Sequence, residues 1–191
     1  MPFADRAAWL RRPVVVEEKL DGANVCIWWE GNGLQVAGRG GPGAMDRGGQ
    51  LGPLRARVAE EYEVLRPMLE KGLVVYAEWL WLTHTVEYER LPDHLVVLDI
   101  LLTGAGFAPV HERDELCRLA GLVVPPRLFS GVLRTEDAVA GLLGPSTVGA
   151  TLMEGIVLRR DDGAVCKVVR PGFVRADDDR IARRRNGLVG P

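Results

Sequence analysis

Residues 18–25 read EKLDGANV, and the fold turns on them. They follow the apolar run Val14-Val15-Val16 and precede a second strand-like stretch over residues 25–29. Lys19 therefore stands at the end of one strand, at an Asp21-Gly22 bend, with another strand leading away. Glycine tolerates the positive φ that tight bends demand, so Gly22 is expected in that conformation. Lysine is ordinarily a solvated surface charge, and one held between two apolar strands needs a reason. Nucleophilic catalysis is such a reason. An amine attacks only when neutral, and a reference pKa of about 10.4 leaves it almost wholly protonated at neutral pH. Enclosure between strands and cationic neighbours lower that value. The plain alternative is a hairpin with one exposed lysine, and Lys-x-Asp-Gly alone is too short to decide.

Outward from this stretch, 191 residues with 47% apolar content suffice for a substantial core. They are expected to form one domain over 1–191, with a charged tail over 174–191 and no appended barrel. A formal charge of −2 argues against a generally basic binder, so any nucleic-acid contact must come from local arginines. Cys26, Cys117 and Cys166 are odd in number and far apart, which suggests neither a zinc site nor a disulfide framework. The first residues lack a signal-peptide core and no run reaches membrane-spanning length, so a cytoplasmic location without membrane contact is expected.

Along the chain, a short helix is expected over 5–10, and strands over 14–19, 25–29 and 34–38 with a turn at 31–33. Arg39 follows in a glycine-rich loop that matches neither a P-loop nor a dinucleotide fingerprint. Leu54, Val58, Leu65 and Leu69 recur at helical spacing, predicting one helix over 53–70 that Pro67 would end early. Residues 73–82, LVVYAEWLWL, read as a strand carrying Glu78. Residues 95–102, LVVLDILL, read as a strand buried on both faces. Helices are expected over 112–120, ending at Gly121, and over 135–143, capped by Thr135. A hairpin is expected over 154–170, turning at 161–163, before a tail that forms a short fraying helix.

Lys19, Glu78, Glu154 and Lys167 are charges set within apolar strands, where each costs free energy unless paired or facing a ligand. One reading is a set of structural ion pairs between these acids and lysines. The other is a cleft for a polyanionic nucleotide, with lysines on phosphate, one acid on ribose and one on a divalent metal.

Lys19-Leu20-Asp21-Gly22, Arg39 after the third strand, AEWLW with Glu78, Leu98-Asp99-Ile100, Glu154-Gly155-Ile156-Val157 and Lys167 stand in an order and spacing that resembles the covalent nucleotidyltransferases. Within them, residues 78–100 most resemble the ATP-dependent RNA ligases. The match covers about residues 14–173. The resemblance implies an α+β nucleotidyltransferase domain in which two antiparallel sheets flank a nucleotide cleft, with peripheral helices. It implies ATP and Mg²⁺ or Mn²⁺ as cofactors, and RNA with a 5′-phosphate and a 3′-hydroxyl as partner. Lys19 would take AMP from ATP, with Lys167 on phosphate and Glu154 serving the metal. Glu78 would hold the ribose, Glu18 would read the adenine amino group, and Leu20, Leu98 and Val157 would line the nucleotide pocket. Arg39 would meet the phosphate of the nucleic-acid end, with His84 and Arg170 as further nucleic-acid contacts.

Two departures accompany the resemblance. Leu98 stands where such ligases commonly carry an aromatic that stacks on adenine, and leucine offers apolar contact without π-stacking. Val165 stands where the last motif often has the first of two lysines, leaving Lys167, with Arg170 as substitute. Of Trp28, Trp29, Trp79 and Trp81, about half should be core. Only 24 residues follow Lys167 (191 − 167). Phosphate contacts would then fall to Arg39 and to Arg170, Arg175 and Arg183 to Arg185, and sealing would gain from a homodimer or an RNA-binding, end-healing partner. The rivals are a DNA nick-sealing ligase, a GMP transferase of the capping kind, and a non-catalytic nucleotide or RNA-end binder. Retention of all four charged residues argues against the last.

Overall fold

The computed structural model describes residues 8–31, 33–39, 41, 49–175 and 184–190. The triple valine lies in β1 (Pro13–Lys19), where β-branched side chains suit the pleat. β1 pairs on one side with β7 (Arg127–Val132) and on the other with β8 (Gly155–Arg159), which pairs with β9 (Val165–Val169). The second sheet holds β2 (Ala23–Glu30), β3 (Gly33–Gly38), β4 (Leu73–Trp79), β5 (Leu95–Leu102) and β6 (Gly106–Phe107). The orders are β7-β1-β8-β9 and β3-β2-β4-β5-β6, and every pairing between these strands is antiparallel. β1 and β2 are thus no hairpin. They are consecutive in the chain yet lie in different sheets, and residues 20–22 make the crossing.

Each sheet has its own core. Val25, Ile27, Val75, Val97 and Ile100 of the second sheet pack with Leu54, Val58, Leu65 and Leu69 from the helices over it. Val14, Val16, Ile156 and Leu158 of the first pack with Leu133, Val139 and Met153. A third cluster, with Leu20, Leu80, Val86, Tyr88 and Leu91, lies where the crossing meets the chain after β4. This two-residue alternation leaves Glu17, Lys19, Val157 and Arg159 on the face of the first sheet away from its core.

Several expectations shift. The helix over 53–70 is two, α1 (Leu51–Glu60) and α2 (Tyr62–Leu69), broken at Glu61 (φ −92°, ψ 10°). Pro67 lies inside α2 and does not end it. The carbonyl it leaves without a donor belongs to Glu63, which is exposed and can turn to water. α3 (Val110–Leu119) stops before Gly121, whose φ is 64°, and α4 (Glu136–Ala140) is shorter than expected but keeps its cap, with Thr135 Oγ1 accepting from the Ala138 N–H at 3.2 Å. The strand expected over 73–82 ends at Trp79, because the next residues bond elsewhere: Leu80 N–H donates to His94 O (2.8 Å) and Leu82 bridges Arg185. Of the tryptophans, Trp79 is buried and Trp28, Trp29 and Trp81 are half-buried. β6 and β7 were not anticipated, since Gly106, Pro126 and Gly131 mark them as turns; pairing with β5 and β1 overrides that signal.

Residues 5–7 of the first expected helix, Asn32 of the expected turn, most of the glycine-rich loop and residues 176–183 lie outside the described residues. Residues 184–190 are described and are not a fraying helix. They run beside residues 81–91, with Thr83 N–H on Arg184 O, Gly187 N–H on Tyr88 O, and Val189 N–H on Leu91 O. Asn186 is buried there, accepting from Thr83 Oγ1 (2.9 Å) and Tyr88 N–H (3.0 Å) and donating to Leu80 O (2.9 Å) and Leu82 O (3.2 Å). No helix among the described residues is long and apolar enough to cross a membrane.

Candidate active site

The crossing at residues 20–22 is fixed atom by atom. Asp21 N–H donates to the Tyr88 hydroxyl (2.7 Å), and Asp21 Oδ2 accepts from Thr85 N–H (2.7 Å) and Val86 N–H (2.9 Å). Asp21 thereby shapes the loop. Gly22 is needed for closeness and not for φ, which is not positive there. A Cβ at Gly22 would stand 2.6 Å from the Trp79 carbonyl oxygen and 2.7 Å from Leu80 Cδ2. That close approach lets Gly22 N–H donate to Glu78 Oε1 at 2.9 Å, which delivers the Glu78 carboxylate from β4 to the end of β1.

Lys19 faces Gly155 across the β1–β8 ladder, so the residue before Gly155 arrives beside it. Lys19 Nζ stands 2.6 Å from Glu154 Oε2. Gly155 is again a matter of space: a Cβ would fall 2.2 Å from Val168 O on β9. Burial raises both the Glu78 and Glu154 carboxyls above their ordinary values, against the opposing pull of the Lys19 charge. Of the ion pairs between strand-borne acids and lysines, the one at Lys19 is present. Lys167 is exposed on β9 and has no carboxylate partner among the described residues.

A cleft of about 520 Å³ opens between the sheets. Glu18, Lys19, Leu20, Arg39, Glu78, Leu98, Val157 and Lys167 all line it. Glu154 adjoins it through Lys19. Glu18 is buried, and its carboxylate accepts from Ser146 Oγ (2.6 Å), Thr147 N–H (2.8 Å) and Thr147 Oγ1 (2.6 Å), so it anchors the loop before β8. His84 and Arg170 are not among the lining residues. His84 Nε2 meets Gln50 Nε2 at 3.3 Å. Arg170 donates to Met153 O (2.8 Å) and lies over the Phe173 ring.

Leu98 owes its position to a bulge. Tyr76 pairs with Asp99 and Ala77 with Val97, so Leu98 has no partner on β4. Neighbours on a regular strand point to opposite faces, yet Leu98 and Asp99 both line the cleft, as a bulge permits. The Leu98 carbonyl is held by Arg113 Nη1 (2.8 Å). Arg113 also grips Glu17, which accepts from Arg159 Nε (2.8 Å), and Arg159 Nη1 reaches Asp99 Oδ1 (2.5 Å). This network joins both sheets and α3, and its Glu17, Asp99 and Arg159 form part of the cleft wall. Glu17 and Arg159 were not singled out from sequence. Val-Glu-Glu-Lys did hold a signal for Glu17, since alternation turns one of two adjacent acids inward whichever way the strand faces. Nothing in the sequence of α3 marks Arg113.

The sequence model of the RNA ligase family matches residues 12–170. No curated protein sequence matches the chain. Among solved structures, a Naegleria gruberi RNA ligase mutant with AMP and manganese is similar at 20% identity and TM-score 0.66, over 87% of this chain and 52% of that one. Another mutant of that ligase, without ligand, is similar at 19% identity and TM-score 0.65, over 88% and 52%. A third, with ATP and manganese, is similar at 19% identity and TM-score 0.64, over 86% and 52%. The chain spans about half the length of these structures, and at this identity they establish a shared fold: α+β, with two antiparallel sheets.

Proposed function

The chain belongs to the RNA ligase family, and on that premise we propose that it is an ATP-dependent RNA ligase that carries AMP covalently on Lys19 and joins a 5′-phosphate to a 3′-hydroxyl. The supporting observation is Lys19 itself, at the seam of the sheets, in the cleft, with Glu154 Oε2 2.6 Å from its amine. Neutral Lys19 Nζ would attack the ATP α-phosphorus. The new P–N bond forms as the bond from that phosphorus to the bridging oxygen breaks, and pyrophosphate leaves with the electron pair. Glu154 is the nearest base to take the proton the amine gives up. Its raised pKa, from burial, suits it to hold that proton. An oxygen of the RNA 5′-phosphate would then attack the AMP phosphorus and release the lysine. Finally the 3′-hydroxyl would attack the activated 5′-phosphate and expel AMP. Such transfers depend chiefly on position and charge. Glu78 would accept from the ribose, Leu98 and Val157 would cover the base, and Lys167 and Arg39 would meet phosphate, a reading supported by their all lining the cleft.

Mg²⁺ and Mn²⁺ take oxygen ligands, usually one or two carboxylates with water and substrate phosphates. Among the described residues no cluster of three or more His, Cys, Asp or Glu makes a ready cage. A lone buried carboxylate such as Glu154 fits an ion that arrives with polyphosphate. When bound, the ion neutralises charge on the phosphate oxygens.

Incubation with α-labelled ATP and magnesium tests the proposal. Label should remain on the denatured protein, be released by acid and resist alkali, as a phosphoramidate does. Lys19→Ala and Lys19→Arg should both abolish it, since a guanidinium is effectively always protonated. Full labelling of Lys19→Ala would sink the assignment. Sealing of 5′-phosphorylated RNA against DNA of the same sequence then fixes the substrate class.

A further inference from the structure

Arg175 is one of the arginines expected to meet the phosphates of nucleic acid, and it lines the cleft together with Lys19, Arg39 and Lys167. The chain leaves β9, reverses through Gly172 (φ 76°), and returns to the crossing between the sheets. Phe173 secures the reversal, packing on the third cluster under the Arg170 guanidinium, with its N–H on Arg170 O (3.2 Å). Arg175 Nη2 then donates to Gly22 O at 2.9 Å, three residues beyond the amine of Lys19. Its Nε stands 3.7 Å from Asp21 Oδ1, too far for a hydrogen bond, and that buried oxygen accepts none.

A guanidinium has five N–H donors. Among the described residues Arg175 uses one, while its side chain is 41% exposed. A purely structural arginine would be expected to spend its fork on the neighbouring carboxylate, as Arg113 does on Glu17. Arg175 is anchored by one corner and paired only loosely, at 3.7 Å, with Asp21, so its remaining donors are available in a cleft where Arg39 and Lys167 lack carboxylate partners among the described residues. That is an arrangement for gripping a phosphate by two parallel hydrogen bonds.

We propose that Arg175 is a phosphate-binding residue of the cleft, taking the polyphosphate of the nucleotide with Arg39 and Lys167. This rests on the nucleotide cleft proposed above. The test measures binding of ATP, AMP, inorganic tripolyphosphate and a 5′-phosphorylated RNA to the full chain, as wild type, Arg175→Gln and Arg175→Lys. Arg175→Gln should weaken ATP and tripolyphosphate about tenfold, as loss of charged hydrogen bonds implies, and change AMP less than about twofold. Arg175→Lys, which keeps the charge without the fork, should recover part of the loss, and the melting temperature of each variant reports on folding. Equal weakening of ATP and AMP would reduce Arg175 to shaping the Lys19 turn and overturn the proposal. So would weakening of the RNA alone, which would assign the arginine to the RNA end, or no change in any ligand. Wild-type protein that binds neither ATP nor AMP would remove the nucleotide cleft itself, an outcome distinct from the other three.

Discussion

At the scale of single residues, Glu78 shows how the site strains against the fold. The residue is 7% exposed, and its carboxylate accepts from Gly22 N–H and has its pKa raised by burial. A raised carboxyl contributes stability that is present below the ordinary pKa and lost as pH rises through the folded value. Glu78→Gln keeps an acceptor for Gly22 and discards the charge. It should therefore raise the melting temperature of the nucleotide-free protein near pH 7, by about 2–4 °C for each 1 kcal/mol gained. The gap between variant and wild type should close as pH falls toward about 4. Melting curves across that range check the sign, and a variant less stable at pH 7 refutes it. The same change should weaken ATP binding if Glu78 accepts from the ribose. Charges set in apolar strands were legible in the sequence because they break a pattern. The part played by Gly22 was legible only as a bend. Its true constraint, the carbonyl of Trp79 at 2.6 Å from any Cβ, belongs to a strand more than fifty residues away.

At the scale of elements, the deciding feature is the bulge in β5. The eight apolar and acidic residues of β5 were plain as a strand, and its bounds are those expected. Its irregular register was hidden, because a bulge depends on the partner strand and on Arg113 at the Leu98 carbonyl. The bulge aims Leu98 into the cleft, so the position is accessible to a larger ring. Leu98→Phe should tighten ATP binding by about 0.5–1.5 kcal/mol, the scale of an aromatic pair. Titration of ATP into both proteins measures it. An unchanged Kd would place the base elsewhere in the cleft. β7 was illegible for a related reason: a strand with Gly131 at φ 148° is held by its neighbours and not by its own residues.

At the scale of the whole molecule, residues 184–190 act as a third set of contacts that closes over the chain after β4. Asn186 satisfies Leu80 O, Leu82 O, Tyr88 N–H and the Thr83 hydroxyl. Tyr88 in turn holds Asp21, so this segment is two hydrogen-bond steps from the loop that carries Lys19. Asn186→Ala leaves several buried groups without partners and should cost about 3 kcal/mol in urea denaturation. A loss under about 0.5 kcal/mol would show that water replaces the amide there. Charge composition concealed this docking, since the run of arginines and aspartates reads as a solvated tail.

The division of β1 and β2 between two sheets also governs how the molecule emerges from the ribosome. The strands from β2 to β6 are contiguous in sequence, from Ala23 to Phe107, and can pair as they appear. β1 is made before all of them, yet its partners on both edges are β7 and β8, and Glu17 waits for Val157, 140 residues later (157 − 17). At about 5–20 residues per second, that is roughly 7–28 s of synthesis. Until β7 is made, through Val132, a valine-rich strand with two open edges hangs from a half-made protein, and one edge stays open until β8 follows. Its two adjacent glutamates, Glu17 and Glu18, are then uncompensated charges on an otherwise adhesive ribbon, and like charges keep neighbouring nascent chains apart. In the folded protein the same two acids accept from Arg113 and Thr147.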